Sequence, residues 1–393
     1  MKITVLGAGA IGSAIACDLA ERDAVTHVQV VDAKASARTA LSDTVKSPKL
    51  RTVRADVRDE RALSPILARS TSVVSCVMPS LNPKLSALAL RADAHFCDMG
   101  GDSATFYRER ALADEAEEHG RWVVPNCGLA PGLVNVLVME GMDRFEEVDA
   151  VVMRVGNIPL ESSAPFFHRL TYSAKKLVED YTAPVPIIRD GKLETVEPLT
   201  GIEEVRFPKP FGRLEAFYTG GKLSTLPEDL TGRVRTLDYK TLRHRGHAEG
   251  MRTVFALGFA EDRHIDVRTH LTYRDLLVRR FRQHLGGEFE DAVLVRIRIE
   301  GTREGRRDAL VYELLERHDR ESGFSAMQRC SGFSTAIIAH LLTTGQVPGG
   351  GVAPPEQIIP REPFFEALAE RGVDIQERWE PAEAAQPAAP AEA

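Results

Sequence analysis

The N-terminal residues carry a glycine pattern that suits phosphate binding. Gly7, Gly9 and Gly12 follow an apolar stretch and open a helical pattern. In a strand–turn–helix unit the first glycine permits the tight turn, the second lets the backbone approach a pyrophosphate, and the third lets the helix pack on the sheet. Amide groups at the start of such a helix attract phosphates. The spacing therefore predicts a dinucleotide site that includes Ala10 and Ile11.

An acidic residue indicates which dinucleotide this site would take. Asp32 lies 20 residues after Gly12, where a carboxylate would accept hydrogen bonds from ribose hydroxyls and repel the 2′-phosphate of NADP. We therefore expect NAD, although Lys34 and Arg38 nearby would soften the exclusion of NADP. Further cofactor contacts are expected where the third and fourth predicted strands end, from Asp56, Val57, Cys76, Met78 and Pro79.

Candidate catalytic residues follow the next two predicted strands. Asp98 ends the fifth strand, at the edge where open parallel sheets bind ligands, and could act as a base or bind an ammonium group. Its carboxylate could equally cap the turn that follows. Cys127, in the next Gly/Pro-rich loop, could touch substrate or be a small buried thiol. Tyr172 and His168 could supply acid–base groups or form part of a cleft wall. Asp98, Cys127 and Tyr172 are our catalytic candidates.

A basic stretch supplies candidates for binding a carboxylate. Arg243 and Arg245 are two residues apart, so in a strand both would face one side. A guanidinium group can bind a carboxylate with two hydrogen bonds. Lys240 and His247 lie close by and join the substrate-binding candidates; the alternative is a solvated basic strand face. His244 and His247 lack a third ligand at suitable spacing, and the chain has no H-E-x-x-H, so no metal site is expected.

The elements that must position these residues change character midway along the chain. The first half alternates strands and helices, which predicts a Rossmann-type doubly wound parallel sheet in the α/β class. Its predicted strands are 2–6, 27–31, 52–55, 72–77, 95–98 and 121–125, and its predicted helices are 11–22, 60–69, 84–92 and 107–119.

The second half predicts an α+β domain with a mostly antiparallel sheet. Its predicted strands are 148–155, 206–207, 233–239, 253–258, 265–271, 292–300 and 308–317, with a helix at 273–284 and a hairpin turn at 302–307. We expect a helix at 332–344 to return to the first domain. The predicted domains are then 1–130 with 331–375 for NAD, and 131–330 for substrate, followed by a disordered tail at 381–393.

Composition excludes several classes of protein. The 393 residues are 43% hydrophobic and 27% charged, which suits about two globular domains and excludes coiled coils and collagen-like fibres. The net charge of −7 gives no reason to expect nucleic acid or an anionic membrane as a partner. The five cysteines are widely spaced, and no run approaches the ~18 apolar residues of a membrane span. We expect a cytoplasmic protein without disulfides.

Several motifs resemble those of the saccharopine dehydrogenase superfamily. They are DMGG (98–101), PNCGLAPG (125–132), VGNIP (155–159), LEAF (214–217) and PPEQ (354–357). Within that superfamily, the stretch DYKTLRHRGHAE (238–249) is similar to the L-lysine 6-dehydrogenase group. The lysine enzymes carry Asp where this chain has Asn126 and Gly where it has Asn157. Both positions would border the substrate cleft, so Asn157 joins the substrate-binding candidates.

This resemblance implies a specific reaction. It is the NAD-dependent oxidative deamination of L-lysine at the ε-carbon, giving ammonia and the 6-semialdehyde, which cyclises to piperideine-6-carboxylate. The resemblance also implies that the second domain mediates oligomerisation and that the protein is a homo-oligomer acting on a small amino acid. Two alternatives stay open. One is a saccharopine-type or carboxynorspermidine-type dehydrogenase acting on a secondary amine, and the other is a dinucleotide-binding sensor without turnover.

Overall fold

The computed structural model describes residues 1–100 and 103–382. Its first sheet contains seven strands: β1 (Lys2–Leu6), β2 (His27–Val31), β3 (Leu50–Val53), β4 (Ser72–Ser75), β5 (His95–Asp98), β6 (Trp122–Val124) and β15 (Gly351–Val352). They lie in the order β15–β6–β5–β4–β1–β2–β3, and every pair is parallel. The predicted doubly wound sheet is confirmed.

Helices cover both faces of this sheet, so its strands are apolar on both sides. Those in the first half of the chain are α1 (Ala10–Glu21), α2 (Ala35–Thr44), α3 (Glu60–Leu67), α4 (Asn82–Arg91), α5 (Ser103–Arg110) and α6 (Ala113–Glu118), with a 3₁₀ turn at Pro79–Leu81. The prediction of one helix over 107–119 was wrong, because the segment divides into α5 and α6. Gly101 of the DMGG motif lies outside the described residues.

The second sheet has nine strands: β7 (Glu147–Pro159), β8 (Val185–Arg189), β9 (Lys192–Val196), β10 (Glu203–Phe207), β11 (Gly212–Phe217), β12 (Thr236–His244), β13 (Asp291–Arg303), β14 (Arg306–Arg317) and β16 (Ile375–Pro381). The main order is β10–β11–β12–β7–β13–β14–β16, with β8 on β12 and β9 on β8. Only β7 and β12 pair in parallel; the other pairs are antiparallel.

The remaining helices surround the second sheet or connect the two sheets. They are α7 (Leu133–Met142), α8 (Ala174–Asp180), α9 (Leu226–Leu230), α10 (His247–Ala256), α11 (Tyr273–Leu285), a π-helical turn (Gln328–Phe333), α12 (Ser334–Thr343), α13 (Pro355–Ile358) and α14 (Arg361–Glu370). None of the helices in 1–100 and 103–382 is long and apolar enough to cross a membrane.

Two strand predictions in this half were wrong. Residues 253–256 belong to α10, and 265–271 forms no strand, although His264 and Thr272 at its edges make an isolated bridge. Both segments carry apolar side chains that favour strands, but Gly246 in the left-handed region starts a helix before the first of them. Residues 383–393 of the predicted tail lie outside the described part, whereas Pro381 ends β16.

The C-terminal segment returns to the first sheet and shares its core. Ile337 of α12 belongs to the same buried cluster as Val5 of β1 and Val155 of β7. At the end of α14, Arg371 donates to both carboxylate oxygens of Asp18 on α1, at 2.6 and 2.8 Å. Both side chains are at most 5% exposed, so this ion pair joins the two ends of the chain in a region without bulk water.

We predict that Arg371→Met lowers the free energy of unfolding by about 2–4 kcal/mol, because it leaves the buried Asp18 carboxylate with only the looser contact to Arg22 at 3.8 Å. Adding Asp18→Leu should recover most of that loss. Urea titration of the single and double variants measures both effects. Arg320→Met is the matched control: Arg320 makes an equivalent pair with Glu290 in solvent, and its loss should leave stability unchanged. Equal losses at the two arginines would contradict the prediction.

Candidate active site

The glycine turn between β1 and α1 is shaped by close backbone contacts. Gly7 has a φ of +105°, and a Cβ there would lie 2.9 Å from the carbonyl oxygen of Cys76. A Cβ on Gly12 would lie 2.0 Å from the Gly7 carbonyl oxygen. A Cβ on Gly9 would meet nothing within 4 Å. Gly7 and Gly12 are therefore required by the turn itself, whereas Gly9 borders open space.

The residues around this open space fit a dinucleotide. Gly9 is the N-cap of α1 and offers no side chain to its amide groups, so the N–H groups of the first turn can bind a phosphate. Asp32 Oδ2 accepts from the Ala8 amide at 2.9 Å, and Oδ1 accepts from the Lys34 amide at 2.8 Å. This carboxylate thus ties the glycine turn to the end of β2 and remains partly exposed beside it.

The other predicted cofactor residues lie at the ends of β3 and β4, as their sequence positions require. The Asp56 carboxylate is bound by the Arg58 guanidinium, which lowers the pKa of Asp56 to about 2. Val57 adjoins that pair. The backbone of Cys76 supports the glycine turn, Met78 is 60% exposed, and Pro79 begins the 3₁₀ turn.

A cleft of about 220 Å³ lies between the two sheets, next to the start of α1. From the first domain it receives Ile11, Met99 and the loop 128–131. The second domain contributes residues 155–157 of β7, alternate residues of β12 and part of the segment before α8. The helix that leads into α12 forms the remaining wall with Met327 and Ser331. Both domains and the connecting helix therefore form the site.

Side-chain alternation along β12 decides which predicted residues face the cleft. Tyr239, Thr241 and Arg243 line it. Lys240 points to the other face of the sheet, where its ammonium binds Glu203 at 2.7 Å. Arg245 is exposed, because β12 ends at His244 and the chain turns there into α10. Of the two predicted arginines, only Arg243 lies in the cleft, so placing both on one strand face was wrong.

Arg243 is 3% exposed, yet its hydrogen-bonding capacity is only partly used. Nη1 donates to the Leu242 carbonyl at 2.9 Å and lies 3.5 Å from the Asn157 carbonyl. Nε has no hydrogen-bond partner among the described residues. A buried charged donor without a partner is costly. Such a group on a cleft wall is therefore a candidate for binding an anion.

A second cavity of about 370 Å³, here called the side chamber, adjoins the cleft. The two share Lys176, Lys222 and Tyr239 in their walls. Both lysines bind the buried Asp180 carboxylate. With one carboxylate between two ammonium groups, this boundary carries net positive charge.

Tyr172 also lies at this boundary. Its hydroxyl donates to Asp180 at 3.2 Å, and the Lys222 ammonium lies 5.1 Å from the centre of its ring. Burial and the Asp180 carboxylate raise the pKa of Tyr172 well above its usual value. Tyr172 is therefore a neutral hydrogen-bond donor in the cleft wall, and this form cannot take a proton from an amine.

Two further catalytic candidates hold the loops behind the cleft. Asp98 is fully buried and accepts from the amides of Gly100 and Asn126. Its carboxylate therefore caps the turn that follows β5, the second of the two roles considered for it. Cys127 is fully buried too, and its Sγ donates to the Val124 carbonyl. Burial raises the pKa of Cys127 well above its usual value, so its thiol stays protonated. Neither side chain lines the cleft.

The two histidines near Arg243 are neutral. His247 is fully buried, with Nε2 bonded to the Tyr181 hydroxyl at 2.9 Å and Nδ1 to the Phe166 carbonyl at 2.7 Å. Burial and the nearby Arg243 lower the pKa of His247 to about 3. The His168 ring lies edge-on to it at 5.0 Å, and burial likewise lowers its pKa. His247 therefore supports the cleft from behind and does not line it.

Sequence reasoning missed several lining residues. Tyr239 and Thr241 could have been found by extending the Arg243 alternation toward the N-terminus of β12. Lys176 has the i,i+4 spacing of a helical ion pair with Asp180, which could have been noticed, whereas no sequence pattern connects Lys222 to that carboxylate. Asn157 does line the cleft, as expected from its motif. No group of three or more His, Cys, Asp or Glu residues within 1–100 and 103–382 is arranged to hold a metal ion.

Comparison with known families agrees with this architecture. Residues 3–124 match the family model of the saccharopine dehydrogenase NADP binding domain. Residues 128–373 match that of the saccharopine dehydrogenase C-terminal domain. The chain belongs to the saccharopine dehydrogenase family. The match covers both the nucleotide-binding domain and the C-terminal domain of that family.

Individual relatives are distant. The chain is 24% identical, over 271 residues, to saccharopine dehydrogenase [NADP(+), L-glutamate-forming] of Saccharomyces cerevisiae, a match covering 66% of this chain and 59% of the relative. The solved structure of saccharopine dehydrogenase (L-Glu forming) from the same organism is 18% identical, with a TM-score of 0.79 over 96% of this chain and 99% of that one. Homospermidine synthase from Legionella pneumophila, in complex with NAD, is 12% identical, with a TM-score of 0.67 over 100% and 95%. These structures share the fold.

The contrast between Gly9 and Gly12 gives a direct test of the dinucleotide site. Gly9→Ala should unfold at the wild-type temperature, because the new methyl group meets open space, but should weaken dinucleotide binding at least roughly tenfold. Gly12→Ala should lower the unfolding temperature, because its methyl group meets the Gly7 carbonyl. Thermal unfolding and fluorescence titration with NADH measure the two properties. Wild-type NADH affinity in Gly9→Ala would show that phosphates bind elsewhere.

Proposed function

We propose that this protein catalyses the NAD-dependent oxidative deamination of L-lysine at its ε-carbon, producing the 6-semialdehyde and ammonia. The main support is the buried Arg243 guanidinium on the cleft wall, whose Nε has no partner among the described residues. A planar guanidinium of this kind suits the α-carboxylate of an amino acid. The cleft is compact, which suits a single unbranched amino acid.

The charges of the cleft wall favour the same class of substrate. Arg243, Lys176 and Lys222 are cationic, and none of the described residues that line the cleft is acidic. An amino acid bound by its carboxylate at Arg243 would extend its side chain from β12 toward the first domain. That direction leads to Met99, Gly100 and the loop 128–131, at the carboxyl ends of the parallel strands.

The chemistry requires a hydride to leave the ε-carbon as the nitrogen lone pair forms a C=N bond. Nicotinamide, when bound, accepts that hydride. The amine must first lose a proton, since a free lysine ammonium has a pKa of about 10.4. In the cleft, like-charge repulsion from Lys176 and Lys222 would disfavour the protonated form of the substrate's ε-amine. Water then adds to the C=N bond, and ammonia leaves from the resulting carbinolamine.

A second candidate is oxidation of a secondary amine of the saccharopine type, and the side chamber favours it. Such a substrate carries a second carboxylate-bearing arm beyond its nitrogen. The side chamber adjoins the cleft and has Lys176 and Lys222 at the boundary, where a second carboxylate could bind. The hydride again leaves the ε-carbon, through cleavage of its C–H bond, so the same hydride acceptor serves both reactions.

The deciding experiment measures NADH absorbance after the purified protein is mixed with NAD and L-lysine at alkaline pH, where more of the amine is neutral. We expect a lysine-dependent rise. Parallel reactions contain saccharopine, a carboxylated polyamine or ornithine. Turnover of saccharopine without turnover of lysine would replace the first candidate by the second. No cofactor reduction with any of these amines would contradict both and favour the sensor alternative.

We also propose that NAD is preferred over NADP, although the yeast relative is named for NADP(+). The Asp32 carboxylate lies beside the glycine turn and would repel a 2′-phosphate.

Asp32→Asn should therefore narrow the preference for NAD. The amide oxygen can still accept the Ala8 amide, while the Lys34 amide loses its acceptor and the negative charge is lost. We expect the ratio of NAD to NADP efficiency to fall roughly tenfold, a change of about 1.4 kcal/mol. Steady-state kinetics with each cofactor on one amine substrate give this ratio. Asp43→Asn is the control, because its exposed carboxylate lies near the C-terminus of α2 and pairs with Lys46. An unchanged ratio in Asp32→Asn would remove Asp32 from cofactor selection.

A further inference from the structure

The Asn157 side chain uses only one end of its amide. Asn157 is 3% exposed and lines the cleft. Its Nδ2 donates to Asp291 Oδ2 at 2.6 Å. Its Oδ1 is buried and has no hydrogen-bond partner among the described residues. Buried acceptors are usually paired, so an unpaired one on the wall of a cleft is suited to a donor from the ligand.

Asp291 determines which end of the amide is left over. The two ends of an asparagine amide can exchange by rotation, and their orientation follows from their hydrogen-bond partners. Asp291 is 1% exposed, and its carboxylate also accepts from the Ala326 and Met327 amides at 2.7 and 3.1 Å. A carboxylate that accepts three N–H groups offers only acceptors. Asn157 must therefore turn its NH₂ group to Asp291, which leaves the carbonyl oxygen without a partner on a residue that lines the cleft.

The Arg243 guanidinium lies next to Asn157. Its Nη1 lies 3.5 Å from the Asn157 backbone carbonyl, and its Nε has no partner among the described residues. The same corner of the cleft thus holds an unpaired donor that suits a carboxylate and an unpaired acceptor that suits an ammonium group. An α-amino acid carries both groups on one carbon atom.

We propose that this corner binds the head group of the substrate: Arg243 takes the α-carboxylate and Asn157 Oδ1 accepts from the α-ammonium group. Asp291, which does not line the cleft, is a positioning residue that holds the Asn157 amide in the required orientation. This inference rests on the proposed function and deepens it. It places the substrate's α-carbon beside β7 and β12, both for lysine and for the lysine half of a secondary amine.

Three ligands test the assignment, each measured by calorimetry on the full chain saturated with NADH at neutral pH. L-Lysine carries both head groups, 6-aminohexanoate lacks the α-amino group, and 1,5-diaminopentane lacks the carboxylate. Asn157→Leu should weaken binding of L-lysine by roughly 10- to 100-fold and leave 6-aminohexanoate within about twofold. Arg243→Gln should weaken binding of L-lysine and of 6-aminohexanoate, which both carry the carboxylate, and should leave the affinity for 1,5-diaminopentane unchanged.

Asp291→Asn separates positioning from a structural role. An asparagine there can donate its NH₂ to Asn157 Oδ1, which occupies the acceptor and turns donors toward the substrate ammonium. We expect a larger loss of L-lysine binding than of 6-aminohexanoate binding, although both ligands will feel the loss of an acceptor at the Met327 amide on the cleft wall. A purely structural role would weaken both ligands equally. Asp275→Asn is the matched control, since Asp275 accepts the backbone amide of the Thr272 N-cap at the start of α11. It should bind all three ligands as the wild type does.

Three outcomes overturn the inference. They are wild-type protein that binds L-lysine no more tightly than 6-aminohexanoate, Asn157→Leu that loses both ligands equally, and wild-type protein that binds neither. If Asp291→Asn does not fold, the Asn157→Leu comparison still decides whether the oxygen binds the ammonium group. Binding is scored separately from turnover. Selective L-lysine binding without NADH formation would refute lysine oxidation and leave the head-group assignment intact.

Discussion

The cleft depends on how the helix that returns to the first sheet is held at its start. That helix begins at Ala326, after the loop 318–325 that follows β14, and its first amide groups donate to the buried Asp291 carboxylate. The helix N-terminus and the carboxylate attract each other where water cannot compete. Because Asp291 also begins β13, this interaction fixes the helix to the second sheet. Further along, Gln328 donates to the Ala10 carbonyl at 2.9 Å and so fixes the helix to α1.

The π-helical turn at Gln328–Phe333 lies at this junction. Such turns insert an extra residue into an α-helix and are frequent at functional sites. Here the turn lies against α1, where Gly332 allows close approach: a Cβ on it would be 3.1 Å from the Ala14 methyl carbon. Met327 and Ser331 of the same helix form one wall of the cleft. The cofactor helix and the substrate wall are therefore parts of one packed unit.

Charge is distributed unevenly around the cleft. Its wall contains Arg243, Lys176 and Lys222, whereas the histidines behind it are neutral because burial lowers their pKa values. Asp180 bonds both lysines and so limits their repulsion. A site of this kind favours anionic groups. It suits a substrate recognised by its carboxylates.

Features that depend on residues close together in the chain could be predicted from the sequence, and those that depend on distant contacts could not. The parallel sheet, the glycine turn and the position of Asp32 follow from local periodicity and short spacings, and the structure has them where they were predicted. The strands expected at 253–258 and 265–271 failed because apolar runs of that length suit helices and loops as well. The prediction that Arg243 and Arg245 share a strand face failed because β12 ends between them, at His244, two residues before Gly246.

By itself the sequence determined the fold class, the dinucleotide turn and one arginine of the cleft. Each of these is encoded in residues that are close together in the chain. Only the tertiary structure decided that Lys240 and His247 lie away from the cleft, that Lys176 and Lys222 meet at Asp180, and that Asp291 orients Asn157. Apart from the Lys176–Asp180 pair within α8, these contacts join residues tens to more than a hundred positions apart. No local pattern specifies them, because they arise when separate strands and helices pack.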